Sequence, residues 1–245
     1  MKLTPQERSA RREAFRRMNA AQKVDYIFSY YKLPIVLTIV FIAVLCQGLY
    51  RHFSRKDVVL YLAYVNVSVS DDTAETLSDG FVRFSGLNTK KSEVYTYQSL
   101  YLSDDPSLAN HEYAYASRLK ILAAVNAAKM DVVLMNREAY DLLSGSGYLM
   151  ELPDVLSQTS PELYQQIQNS LSQNRVILED NSLELALGEA ENYHVEEIYE
   201  TNALDITRFP VFEGTDFTDS VYLGIFPNSP RMTAAVQYIA YLKNT

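Results

Sequence analysis

The sequence predicts an α/β protein: one N-terminal transmembrane helix followed by a single α/β domain. Three observations carry this reading. Residues 33–50 (LPIVLTIVFIAVLCQGLY) are uncharged and mostly apolar. Short apolar runs of strand length recur at 58–65, 132–135 and 221–226. Segments with helical spacing or helix-capping residues lie between those runs. The expected organisation is a cytoplasmic basic segment at 1–32, a membrane helix at 33–50, a linker at 51–56 and an extracellular domain at 57–245.

The N-terminal segment opens with Thr4, Pro5 and Glu7, a capping-box pattern that predicts a helix to about Lys23. The uncharged run after it would be about 27 Å long as a helix, close to the roughly 30 Å thickness of a bilayer core. Tyr26, Phe28, Tyr30 and Tyr31 flank it on one side, Tyr50 and Phe53 on the other, as in an interfacial aromatic belt. Residues 1–32 hold 8 Lys/Arg against 3 acids, whereas Arg51, Arg55 and Lys56 follow the run. That bias predicts a cytoplasmic N-terminus and a C-terminal domain outside the cell membrane.

The domain elements follow in order. Val58–Val65 (VVLYLAYV) reads as a strand buried on both faces, as in a parallel sheet. Asp71 and Asp72 read as caps of a helix over 73–84. Glu93–Leu100 alternates and reads as a second strand. In 109–130, Ala116, Leu119, Leu122, Ala123 and Ala127 recur at helical spacing. Asp131 then leads the strand Val132–Met135, and Arg137–Leu143 reads as a short helix ended by Gly145 and Gly147. Ser160–Pro161–Glu162 starts a helix reaching about Gln173. Arg175–Leu178 and Leu183–Leu187 read as a hairpin around Asp180–Asn181, and the acidic stretch 189–200 reads as a solvated face. Val221–Phe226 and Arg231–Leu242 close the domain as strand and helix.

Composition narrows function. The overall charge of −8 hides an asymmetry. Residues 57–245 hold 11 Lys/Arg against 27 acids, a net charge of −16 that repels phosphate backbones, so nucleic acid is excluded as a partner. A single cysteine, Cys46, allows neither an internal disulfide nor a cysteine metal cluster. No HExxH, nucleophile elbow or Gly-rich phosphate loop occurs. His194 with Glu191, Glu196 and Glu197 is the one arrangement resembling a metal site, and a solvated acidic stretch explains it better. The expectation is a non-enzyme without cofactor or metal.

Three stretches carry a resemblance. RLKILAAVNAAKMDVVLMNREAYDLLSGSGYLMELPDVL (118–156), ALDITRFPVF (203–212) and DSVYLGIFPNSPRMTAAVQYIAYL (219–242) resemble type II extracellular solute-binding proteins, a periplasmic-binding-protein-like family. YIFSYYKLPIV (26–36) resembles the anchor of single-pass proteins of the Gram-positive Firmicutes. The resemblance implies a reduced, one-lobe solute-binding-like α/β domain that recognises a small solute or peptide. It departs from the family in its short domain, its lack of Trp and the absence of a lipoprotein cysteine. The other class of function is an interaction module whose domain binds another envelope or membrane protein.

In open α/β sheets ligands bind beyond the C-terminal strand ends. That rule, with the resemblance, selects Asn66, Ser68, Asn136 and Arg137 as polar contacts and Tyr97 as a stacking surface, with Phe226–Asn228 placed at the same end. A concave polar cleft would favour a solute; a Tyr-rich apolar surface would favour a protein partner.

Overall fold

The computed structural model describes residues 5–53, 56–105, 111–180, 194–212 and 220–245. The chain divides into two compact units, Met1–Arg55 and Lys56–Thr245.

In the first unit α1 spans Pro5–Arg17 and α2 spans Ala20–Phe53. The single helix expected up to Lys23 is interrupted by a reciprocal cap. The Asn19 side chain accepts from the Gln22 N–H at 2.9 Å, and the Gln22 side chain accepts from the Asn19 N–H at 3.1 Å. Thr4 lies outside the described residues.

Among the described residues, no helix is long and apolar enough to cross a membrane. This corrects the transmembrane helix expected at 33–50, and with it the single-pass placement with a cytoplasmic N-terminus and an extracellular domain. The run is instead the interior of the longer α2, which contains Pro34 and begins in a polar stretch with Lys23 and Asp25.

The second unit is α/β. Six strands form one mixed sheet: β1 Asp57–Val65, β2 Ser92–Leu100, β3 Val132–Met135, β4 Leu171–Asp180, β5 Val195–Asp205 and β6 Tyr222–Ile225. Their order is β2-β1-β3-β6-β5-β4. The first three are parallel; β6 runs antiparallel to both β3 and β5, and β4 is antiparallel to β5. The expected strands at 58–65, 93–100, 132–135 and 221–226 are thus present, in a sheet that is parallel over one half only.

Helices cover both faces, as strands apolar on both sides require. On one face pack α3 (Asp71–Glu75), a π-helical turn over Thr76–Gly80, α4 (Phe81–Phe84), α7 (Leu152–Thr159), α8 (Pro161–Ile167) and α9 (Met232–Asn244). Leu60, Leu62, Tyr64, Phe81, Leu134, Leu223 and Tyr238 form the centre of that core. On the other face α5 (His111–Asn126) and α6 (Arg137–Gly145) enclose Ala63, Val65, Val133, Met135 and Phe226.

Several local expectations change. The cap of α3 is Ser70, whose hydroxyl accepts from the Thr73 N–H; Asp71 and Asp72 sit in the first turn. The helix from Pro161 stops at Ile167, and a 3₁₀ turn at Gln168–Ser170 feeds β4 four residues before the expected Arg175. The hairpin partner of β4 is β5, drawn from the stretch read as a solvated acidic face; Leu183–Leu187 lies outside the described residues. In α5 the buried residues are Ala114, Ser117, Ile121, Ala124 and Val125. The apolar repeat read from the sequence (Ala116, Leu119, Leu122, Ala123, Ala127) is exposed.

Two core tyrosines test the packing. The hydroxyls of Tyr64 and Tyr238 are buried with no hydrogen-bond partner among the described residues. Burial holds both phenols above their ordinary range near 10. The sign follows: the folded state keeps its protons where the unfolded chain loses them. The stability is present below about pH 10 and is lost as pH rises beyond it. Tyr64→Phe and Tyr238→Phe each remove an orphaned group, and a gain of about 1–3 kcal/mol is expected in urea unfolding at pH 7. The double variant is expected to resist unfolding between about pH 10 and 12 better than the parent, measured by circular dichroism.

Candidate functional site

The parallel strands β1, β2 and β3 end together, and the residues beyond them were the expected site. Asn66 follows β1 with a positive φ of 56°, a conformation Asn tolerates. Its side chain clamps the backbone of one residue: Nδ2 donates to the Leu102 carbonyl at 2.6 Å and Oδ1 accepts from the Leu102 N–H at 2.8 Å. Asn136 follows β3 and caps α6, accepting from the Ala139 N–H at 3.0 Å. Both amides are therefore occupied by backbone. Ser68 is exposed on the loop after β1.

Arg137 opens α6 at the same end. Its Nε lies 2.9 Å from Asp141, and its guanidinium sits 5.4 Å from the Tyr140 ring and 5.8 Å from the Tyr222 ring. Those rings stack at 4.8 Å. Asp141 also accepts from Asn174 of β4 at 2.8 Å. The buried Asn202 of β5 accepts from the Tyr140 hydroxyl at 3.0 Å and donates to Ser144 at 2.8 Å. These bonds tie α6 to the hairpin and consume its polar groups.

The other expected residues lie elsewhere. Because β6 is antiparallel, Phe226–Asn228 sit at the opposite end of the sheet, where the Phe226 N–H bonds the Asp131 carbonyl. There Asp131, fully buried, accepts from Ser229 Oγ at 2.6 Å, from the Tyr61 N–H at 2.7 Å and from Arg231 Nε at 2.7 Å. Arg231 also donates to the Ala128 carbonyl and lies 4.6 Å from the Tyr61 ring. Tyr97 is half-buried in the middle of β2, within a cluster with Tyr95 (5.0 Å) and Tyr61 (6.3 Å). Lys120 of α5 sits 5.7 Å from its ring. Burial and the neighbouring phenols raise the Tyr97 phenol above its ordinary value.

What the fold leaves open is the α5 side. Leu102, Arg118, Ile121, Leu122, Leu142, Leu143, Ser146 and Tyr148 line a groove of about 120 Å³ between α5 and α6. Arg118 at its rim pairs with Asp104 at 2.7 Å. Beside the groove the outward face of α5 presents Tyr115 (62% exposed), Leu119 (48%) and Leu122 (38%), while Tyr113 lies on the side of the helix toward β2. Tyr113 is anchored by its hydroxyl to the Ser99 carbonyl and stacks on Tyr101. Leu119 and Leu122 belong to the repeat read from the sequence; a helix apolar on two faces hides which one is buried.

Among the described residues no three His, Cys, Asp or Glu side chains converge to hold a metal ion. His194 stands 4.0 Å from Glu179, and Glu191 lies outside the described residues. In comparison with known proteins, no family model and no curated protein matches the chain.

Proposed function

We propose that the α/β unit is a non-catalytic interaction module that binds another protein on the outward face of α5. The observation that carries this reading is the exposed run Tyr115, Leu119 and Leu122 beside the apolar groove. Large side chains of this kind, grouped on one helix, supply the apolar and aromatic anchors around which protein interfaces form. The polar groups at the strand ends are engaged with backbone and with each other, which leaves them little capacity for a solute. A groove of about 120 Å³ is also below the roughly 300–1,000 Å³ of most small-molecule sites.

A photo-crosslinking amino acid placed at Leu119 or Leu122 of the full chain in its native cell tests this. The expected product is one discrete adduct, lost when Tyr115 is changed to Asp. The variant Leu119→Asp/Leu122→Asp is expected to stay folded at a cost of about 1–2 kcal/mol, since both side chains are partly exposed on the helix, while losing the partner. Absence of any adduct, together with stabilisation by sugars, amino acids or short peptides in a thermal-shift screen, would sink the reading in favour of a solute.

A further inference from the structure

The outward half of α5 has an order of its own. Tyr115, Leu119, Leu122 and Asn126 follow one another at steps of four, three and four residues, and all four are exposed. That spacing is the seam along which one helix packs on another. At about 100° per residue, the buried side chains Ala114, Ser117, Ile121, Ala124 and Val125 all fall within about 60° of the pole opposite Leu119. The seam is therefore free of the unit's own core. Ala116 and Ala123, also exposed, border it on one side and let a second backbone come close. From Glu112 to Asn126 it runs about 21 Å, or about four turns. The groove between α5 and α6 opens beside Leu122, where a side chain from a facing helix can enter as a knob enters a hole.

Charge borders the seam on both sides. Arg118 stands about 100° to one side of Leu119 and Lys120 about 100° to the other. Arg118 is held by Asp104 at 2.7 Å. Lys120 pairs with no acid among the described residues and lies 5.7 Å from the Tyr97 ring. Glu112, the acid on this face, sits at the N-terminal end of the seam. Two basic flanks on a unit of net charge −16 select what can face them. They oppose a second copy in either sense. Antiparallel α5 helices would set each cation beside its own counterpart, and parallel ones would set Lys120 beside Arg118.

We propose that the partner is a different protein that lays an amphipathic α-helix along α5, with an apolar seam flanked by Glu or Asp. The proposal rests on the interaction reading above and specifies the chemistry of what binds there. Tyr115, Leu119 and Leu122 are the anchors at i, i+4 and i+7, and Lys120 meets an acid on the partner's flank.

The test offers the full chain, at 150 mM salt, three synthetic peptides. One is a helix with Leu on the seam and Glu on both flanks, one carries Lys on the flanks instead, and one scrambles the first. At this salt the unit's overall charge is screened beyond about 8 Å, so the flanks decide. By fluorescence anisotropy the Glu-flanked helix is expected to bind about tenfold tighter than the Lys-flanked one, and the scrambled peptide not at all. Lys120→Glu, at an exposed side chain, is expected to abolish or reverse that preference, and Leu119→Asp to abolish binding. Equal binding of the two flanked helices, a preference that survives Lys120→Glu, or no binding of the Glu-flanked helix would overturn the proposal. So would a photo-crosslinked adduct at Leu119 of twice the chain's mass, which would make the partner a second copy. A discrete adduct of another mass, with peptides bound alike, would remove the acidic helix and leave the interaction reading standing; absence of any adduct would remove both.

Discussion

Arg231→Ala is expected to cost about 3–5 kcal/mol of folding stability, the largest effect of any single change of charge among the described residues. Asp131 is fully buried at the head of β3, and Arg231 is its only charged partner among the described residues. Removing the guanidinium leaves a carboxylate with the Ser229 hydroxyl and the Tyr61 N–H as its remaining donors, away from water. Arg231→Lys is expected to recover part of the loss, because an ammonium keeps the charge but cannot bond Asp131 and the Ala128 carbonyl together or lie flat on Tyr61. The double change Asp131→Leu/Arg231→Met is expected to be milder than Arg231→Ala alone, since it removes both charges. Urea unfolding of the three variants measures this. A loss below about 1 kcal/mol for Arg231→Ala would show that the pair contributes no more than an exposed one.

Phe81→Ala is expected to destabilise by a similar amount, about 3–5 kcal/mol, through a cavity rather than a charge. Phe81 meets Tyr238 edge-on at 5.1 Å and Tyr241 at 5.9 Å. It lies where the π-helical turn over Thr76–Gly80 passes into α4, and both Leu77 and Phe81 point into the core. Phe84 provides the control within the same helix. It meets Tyr241 at a tilt at 5.4 Å but is half exposed, so Phe84→Ala is expected to cost about 1 kcal/mol. Comparable losses at the two positions would mean that the cavity does not set the cost.

The sequence was legible where burial on both faces writes a continuous apolar run. VVLYLAYV, VVLM and VYLGIF all became strands, and the helices expected at Arg137–Leu143 and Arg231–Leu242 are present. Strand direction was not legible, because a fully buried run reads the same in either sense. That placed Asn228 at the wrong end of the sheet. β5 was missed because its first half is exposed and acidic; pairing with β4 makes it a strand. The site suffered from the same limit. Asn66 and Asn136 do stand at the strand ends, but only the fold reveals that their amides already hold the backbone of Leu102 and Ala139. Asp131 gave a faint signal as a charge set directly before an apolar strand; its partner a hundred residues away gave none.

The place of β6 in the strand order governs how this unit can be made. β6 alone joins the parallel half β2-β1-β3 to the hairpin β4-β5. Until Tyr222–Ile225 is synthesised, the ribosome-bound chain holds two half-sheets with no shared ladder. At about 5–20 residues per second, the apolar edge of β3 waits roughly 5–20 s for its neighbour. During that time the nascent chain exposes one open edge of Val132–Met135, a binding target for chaperones and a nucleus for aggregation. Closure of the sheet therefore waits on the arrival of β6 rather than on the speed at which the parallel half forms.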